Sequence, residues 1–427
     1  MKKVLFITYF WPPSGKASLH WPLKMIKYLP ENGWEPTVLT VKEDSFYQKD
    51  ATLLKEIAPN LKVIKTGTIE PFNIYRKLLG KKKDEPLVAS ESMSQDKKSF
   101  NHMLSLWIRM NLFIPDARVG WFFHGVKEGK KFLSKNKTDA IISNGPPHSA
   151  HLLARRLSSL FNIPHIPVFI DPWADIVYYK NYKRTKLTQG FDRYLEESVI
   201  KKAKEIVFVT ETMKDDYIKK YPAIRDKSHV LYWGYNEDDF SELEKELDYS
   251  KGEEEIITHA GNMYDYNNPV SFFEYITDEI KKGRRTKIKF IGTVSPKTSE
   301  IINNLNISEN SEYLGFLPYK QMLKELLKSD VLIMMVTEKR HVPGKLFEYL
   351  RTGKPILAFG NDNEEVKEIL KESKAGMIFN YNESAKEFFD LSNTGYKKFK
   401  TDLSLIKKYD RRNIAKELGK ILNNITD

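Results

Sequence analysis

The chain contains no cysteine. That excludes a disulfide scaffold and any thiolate metal site, and it suits a reducing compartment. No apolar run reaches the roughly 18 residues that a membrane-spanning helix needs. The opening MKKVLFITYFWPP reads as a strand stopped by prolines rather than as a secretory leader, so the expected location is the cytoplasm. The three-glycine turn of a nicotinamide-binding fold is missing, which argues against a dehydrogenase. A basic isoelectric point of about 9.2 comes without any base-stacking motif, so nucleic acid is not an expected partner.

What is present bounds the rest. A chain of 427 residues, 41% of them apolar, is more than one ordinary core will fill, and two domains are expected. The net charge of +12 is unevenly spread: residues 1–230 carry 39 lysines and arginines against 24 acids, and residues 231–427 carry 30 against 33. The balances are +15 and −3. A basic first half suits an anionic partner such as a phospholipid headgroup, a lipid diphosphate or an acidic glycan.

The most informative stretch is VLIMMVTEKRHVPGKLFEYLRTGKPILA, residues Val331 to Ala358. Val331–Val336 is a continuous, β-branched-rich run, expected as a strand buried on both faces. Pro343 and Gly344 open a helical pattern that stops at Gly353, just before a second apolar strand. In a strand, loop, helix, strand unit the helix N-terminus and the strand's carboxyl end share a crevice that favours an anion. Lys345 falls in the first helical turn and Glu348 one turn later, a cation for phosphate and a carboxylate for sugar hydroxyls.

Other short strands deliver polar residues in the same way. Val4–Thr8 leads to a loop with Gly15, where a turn or a ligand approach would need glycine. Ala140–Ser143 releases NGPPHSAHL, which places His148 at a helix start. Val168–Ile170 delivers Asp171, a carboxylate that can accept a hydrogen bond from an attacking hydroxyl. Asp116 and Arg118 share a loop, where a local salt bridge competes with a ligand role. Between residues 72 and 115 a basic run, KLLGKKKDEP, precedes Met103, Leu104, Trp107, Met110 and Leu112 at helical spacing. That combination suits either an anionic membrane or packing on the helix's own domain.

Taken together, YFWPPSGKA, IPDARVGW, SNGPPHSAHL, IDPWAD, GYNEDDF, HAGNMYDYNNP and PGKLFEYLRTGKPILA resemble the family 4 glycosyltransferases of the GT-B fold. The last motif is most similar to bacterial polysaccharide-assembly members with a PGKLFEY variant. The resemblance implies an α/β chain of two Rossmann-like, doubly wound domains facing a central cleft. Residues 1–240 would bind acceptor, 241–400 would bind nucleotide-sugar donor, and 401–427 would pack back on the first domain. It implies retaining, metal-independent transfer to a glycan or lipid-linked glycan in bacterial surface polysaccharide assembly, without a cofactor, at the inner face of the membrane. Enzymes of the other common glycosyltransferase fold hold a metal with Asp-any-Asp, a triplet this sequence lacks.

Carried over by motif, Asp171 and His148 are the expected catalytic residues. Gly15, Gly261, Asn262, Arg340, Pro343, Gly344, Lys345, Leu346 and Glu348 are expected around the donor. Asp116, Arg118 and Trp173 are expected on the acceptor side. The sequence also departs from the family. No Arg or Lys follows Gly261, Arg340 stands where the first of two paired glutamates is usual, and Ile170 replaces an arginine before Asp171. Two further readings stay open on that account: a nucleotide-sugar-binding partner with weak turnover, and a sugar-nucleotide epimerase of similar architecture.

Overall fold

The computed structural model describes residues 1–46, 49–69, 100–176, 179, 182–247, 252–360, 362–390 and 395–426. The basic run KLLGKKKDEP lies outside the described residues. The chain divides into two compact units, one of Met1–Leu231 with Ala415–Asp427 and one of Tyr232–Ile414. The division falls at Leu231 rather than near residue 240, because Phe240 and Leu243 of the acidic helix Glu237–Glu246 are buried in the second unit's core.

In the first unit seven strands form one parallel sheet: β1 (Lys2–Thr8), β2 (Trp34–Val41), β3 (Lys62–Thr66), β4 (Ala140–Gly145), β5 (His165–Phe169), β6 (Ile206–Phe208) and β7 (Ser228–Val230). Their order is β3-β2-β1-β4-β5-β6-β7. The chain order reverses between β1 and β4, the position where open parallel sheets leave a crevice beyond their carboxyl ends. β7 went unread in the sequence, since three half-buried residues make no apolar run.

The second unit has a six-stranded parallel sheet of β8 (Glu255–Ala260), β9 (Thr286–Ile291), β10 (Ser311–Gly315), β11 (Val331–Met335), β12 (Ile356–Phe359) and β13 (Gly376–Phe379), ordered β10-β9-β8-β11-β12-β13. The switch here lies between β8 and β11. Alternate residues of β11 feed two cores. Leu332 and Met334 join Leu346, Phe347 and Leu350 on one face, while Val331, Ile333 and Met335 join Phe272, Phe273 and Phe290 on the other. That double burial is why the strand reads as an unbroken apolar run.

The helix Lys345–Thr352 ends where Gly353 adopts φ +71°, and the Gly353 N–H returns to Leu350 O. The helix Arg411–Asn424 starts in the second unit and ends in the first. There Trp34 Nε1 donates to Asn423 Oδ1 at 3.0 Å and Lys2 Nζ to Thr426 Oγ1 at 2.9 Å.

Candidate functional site

At the switch of the second sheet, β8 ends in Ala260-Gly261 and β11 runs into the loop before Lys345. Lys345 turns back to this point, and its Nζ donates to Ala260 O at 2.7 Å. Gly261 has φ +131°, and a Cβ there would sit 2.4 Å from Lys345 Nζ. The backbone there requires glycine, and the open space beside it is where the ammonium lies. Burial pulls the Lys345 pKa down to about 8, opposed by the Glu348 carboxylate.

His259, which motif reading had not singled out, shares this pocket. One nitrogen, Nδ1, lies 3.1 Å from Ile333 O, an acceptor, so it carries the proton. Its Nε2 is buried at the end of β8, beside the Gly261 and Asn262 backbone. Burial, with Lys345 beside it, lowers its pKa to about 3.

Glu348 is enclosed, and its Oε1 accepts from Arg411 Nη2 at 3.1 Å and from Tyr319 Oη at 3.2 Å. Burial raises its pKa, while Arg411 opposes the rise. Both donors reach the same oxygen, Oε1. The side chains of Leu346 and Pro343 are buried, and Leu346 N–H bonds to Pro343 O at 2.9 Å. These two residues hold the turn instead of offering side chains to a ligand. Gly344 faces the Trp233 ring, whose nearest atoms would lie 3.3 Å from an added Cβ. The expected phosphate cation Arg340 folds onto its own loop, with Nε 3.3 Å from Glu338 Oε1 and its N–H on Glu338 Oε2. Asn363 pins that loop through Glu338 O and His341 O. Lys345, not Arg340, is thus the cation aimed at the end of β8.

Where the family pattern has cations after Gly261, this chain has Asn262 and two tyrosines. Asn262 Oδ1 accepts from Thr293 N at 3.1 Å and so ties the ends of β8 and β9. Tyr264 and Tyr266 stack with centroids 5.5 Å apart, and both are exposed.

In the first unit, His148 lies over Trp173, with centroids 5.0 Å apart and planes 7° off parallel. It hydrogen-bonds the Pro172 backbone, which offers only a carbonyl, so His148 donates. Its Nδ1 is buried without a partner among the described residues, and burial lowers its pKa to about 3. Below it, Ser143 Oγ lies 2.7 Å from both His151 Nδ1 and His165 Nε2. A hydroxyl has one proton, so it donates to one ring and accepts from the other. A Cβ on Gly145 would sit 2.4 Å from His151 Nε2 and 2.9 Å from His148 Nδ1, so these two nitrogens flank one spot.

Asp171 follows directly from β5, which Ile170 N extends by bonding to Gly145 O at 2.9 Å. Its turn is held from behind by the helices Lys186–Lys202 and Glu211–Lys220. Trp173 Nε1 donates to Asp192 Oδ1 at 2.7 Å, Ala174 N to Glu196 Oε2 at 2.9 Å, and Trp173 N to Tyr217 Oη at 2.9 Å. Trp173 is 1% exposed, so it braces His148 and presents no face to an acceptor. Asp116 caps the helix Ser149–Phe161, accepting from Ser149 N at 2.8 Å and from Arg118 N at 2.9 Å. The Arg118 guanidinium sits 5.1 Å from the Tyr9 ring centre. Gly15 lies in the loop after β1, between Ser14 and the exposed Lys16. Among the described residues no three histidine or carboxylate side chains gather around a common point suited to a metal.

Two families match the chain in succession. Glycosyltransferase Family 4 covers residues 79–239, and Glycosyl transferases group 1 covers residues 254–393. No match is found among curated proteins. Solved structures share the fold along nearly the whole length. A glycosyltransferase from Rickettsia africae is 16% identical with a TM-score of 0.62, covering 99% of this chain and 98% of its own. HepE of Anabaena, solved with UDP and glucose, is 13% identical with a TM-score of 0.61, covering 99% and 100%. MnaA of S. aureus, solved with UDP, is 13% identical with a TM-score of 0.54, covering 100% and 98%. At such identities the structural likeness speaks for the fold, and the family matches speak for the chemistry. The chain is a glycosyltransferase of the GT-B fold and belongs to the family 4 group.

Proposed function

We propose that the chain moves a sugar from a nucleotide-sugar donor to a hydroxyl of a glycan or lipid-linked glycan, in the assembly of bacterial surface polysaccharide. The observation that carries this reading is Lys345 turned under Gly261 at the switch of the second sheet. There a cation, a glycine turn and a helix N-terminus converge, as a diphosphate requires. That HepE of Anabaena was solved with UDP-glucose, at 13% identity, fits a nucleotide-sugar of this kind.

In this reading Lys345, Gly261 and the helix at Gly344 hold the diphosphate, and Glu348 takes a sugar or ribose hydroxyl. Leaving-group charge is met by the ammonium and backbone N–H groups, and transfer proceeds with retention and without a metal. On the acceptor unit Asp171 takes a hydrogen bond from the attacking hydroxyl, and His148 fixes the turn that carries it. Asp116 and Arg118 shape the neighbouring loop. The protein works in the cytoplasm at the inner face of the membrane; among the described residues no helix is long and apolar enough to cross one.

A panel of nucleotide sugars tests this. One of them should raise the melting temperature and be slowly hydrolysed to free sugar and nucleoside diphosphate, in the presence of EDTA. The released sugar should keep its anomeric configuration by NMR. Binding with no turnover on any acceptor would replace this reading with a partner subunit, and release of an altered sugar would replace it with an epimerase.

A further inference from the structure

The helix Lys186–Lys202 buries one side and leaves the other bare. Thr188, Asp192, Glu196, Val199 and Ile200 are buried. Leu187, Phe191 and Tyr194 are 87%, 51% and 62% exposed. Their spacing of four and then three residues makes one stripe along the helix. Phe191 and Tyr194 stack with centroids 6.4 Å apart, a preformed aromatic face. A folded chain seldom leaves such a stripe to water without use.

A second exposed apolar surface adjoins it. The end of the helix Phe100–Leu112 is fastened to the start of Lys186–Lys202 through Asn111, whose Oδ1 accepts from Thr185 N at 2.7 Å and whose Nδ2 donates to Lys183 O at 3.2 Å. Arg184 Nε adds a bond to Met110 O at 3.3 Å. Of the stripe expected on that helix only Met110 is buried; Met103, Leu104, Trp107 and Leu112 are exposed. Packing on its own domain therefore accounts for one residue and leaves four.

The rim is cationic. Lys183 and Lys186 are exposed beside Leu187 and Lys202 ends the stripe, while Arg193, flanking Phe191, is paired with Asp175 at 3.8 Å. Asp192 and Glu196 of this helix are buried, and Glu197 is paired with Lys201 at 2.7 Å. The half of the chain that bears this surface carries a balance of +15.

We propose that these two helices dock the protein on a bilayer rich in anionic lipid, with Leu187, Phe191, Tyr194 and Trp107 at the acyl boundary and the lysines at the headgroups. Apolar side chains ringed by long basic ones are what an interfacial helix uses, since lysine stems cover hydrocarbon while their ammonium groups reach phosphate. The surface follows from exposure and charge alone; its use rests on the reading of a lipid-linked acceptor. The loop with Asp116 adjoins the same helix, so docking would bring the acceptor-side loop to the bilayer.

The test is co-sedimentation of the full chain with phosphatidylcholine vesicles, with and without phosphatidylglycerol. Wild type should pellet only with the anionic vesicles. L187E/F191E should bind about tenfold less, and K183Q/K186Q, or added salt, severalfold less. Both variants should hydrolyse a soluble nucleotide sugar as wild type does. Wild type left in the supernatant, or L187E/F191E binding as before, overturns the proposal. So does a wild-type dimer that L187E/F191E converts to monomer while vesicle binding persists, since a second copy then covers the stripe. If vesicles are bound but no lipid-linked acceptor is ever used, the surface stands and the acceptor reading fails.

Discussion

Arg411 and Glu348 form a buried ion pair, Nη2 to Oε1 at 3.1 Å, although 63 residues separate them. Arg411 also donates from Nε to Trp233 O at 3.0 Å, and Trp233 is the ring against Gly344. One guanidinium thus holds both the turn before the helix and the acid within it. Arg411→Ala takes the cation from Glu348 and leaves it only the Tyr319 hydroxyl in a dry site, at a cost of about 3–5 kcal/mol. A fall of that size in the unfolding free energy from urea titration is expected, with weaker donor binding; an unchanged value would mean the pair is not formed in solution.

Lys345→Met should weaken donor binding by about 1.5–3 kcal/mol, the value of a charge-assisted contact. The pH dependence is distinctive because burial has brought the ammonium pKa to about 8. Donor affinity in wild type should decline above pH 8 and stay flat in the variant, read by calorimetry in matched buffers. Stability should move the other way. The unfolded chain keeps its proton up to about 10.5, so the fold gains stability as pH rises from about 8 towards that value.

Gly261→Ala combines two insults of different kind. The lysine tip can swing away from a new Cβ, but a backbone φ of +131° cannot be relaxed locally. We expect about 1–3 kcal/mol of destabilisation together with loss of donor binding. Gly252→Ala, where a Cβ meets open space, is the control and should change neither.

Acid should weaken the fold through its buried histidines. Burial holds His148, His165 and His259 at about 3, and His151 well below its ordinary value. As pH falls through 6.5 the unfolded chain takes up protons that the folded one refuses. Each histidine then removes up to about 1.4 kcal/mol per pH unit until the folded value is reached. Urea midpoints at pH 7 and pH 5 measure this; equal midpoints would show that the folded rings take up protons over the same range as the unfolded chain.

Asp171→Asn should lower kcat about 10²–10⁴-fold with donor affinity unchanged. Asp192→Asn, which disturbs the Trp173 hydrogen bond behind the same turn, should lower kcat less. Equal kcat in both variants and wild type would remove Asp171 from the reaction.

Much of the fold was legible because parallel strands buried on both faces announce themselves. Val331–Val336 and the Gly353 stop were read within a residue or two, and the helix between them positions Lys345 as expected. The arrangement around the site was legible only in part. Leu346 and Trp173 were placed by motif beside ligands, yet their side chains are enclosed, since a motif records position in the chain and not which way a side chain points. The Arg340–Glu338 pair was hidden for the same reason. His259 and Arg411 could have been found only by three-dimensional proximity, having no spacing that links them to Lys345 or Glu348.

The first unit is made from both ends of the chain, residues 1–231 and 415–427, with the entire second unit spelled out in between. During synthesis all seven strands of its sheet have emerged by residue 230, whereas Trp34 meets its Asn423 partner only after the whole second unit has followed. The last fastening of the first unit is in this way timed by completion of the second, and a chain cut short before residue 415 would keep both sheets but lose the Trp34–Asn423 and Lys2–Thr426 bonds.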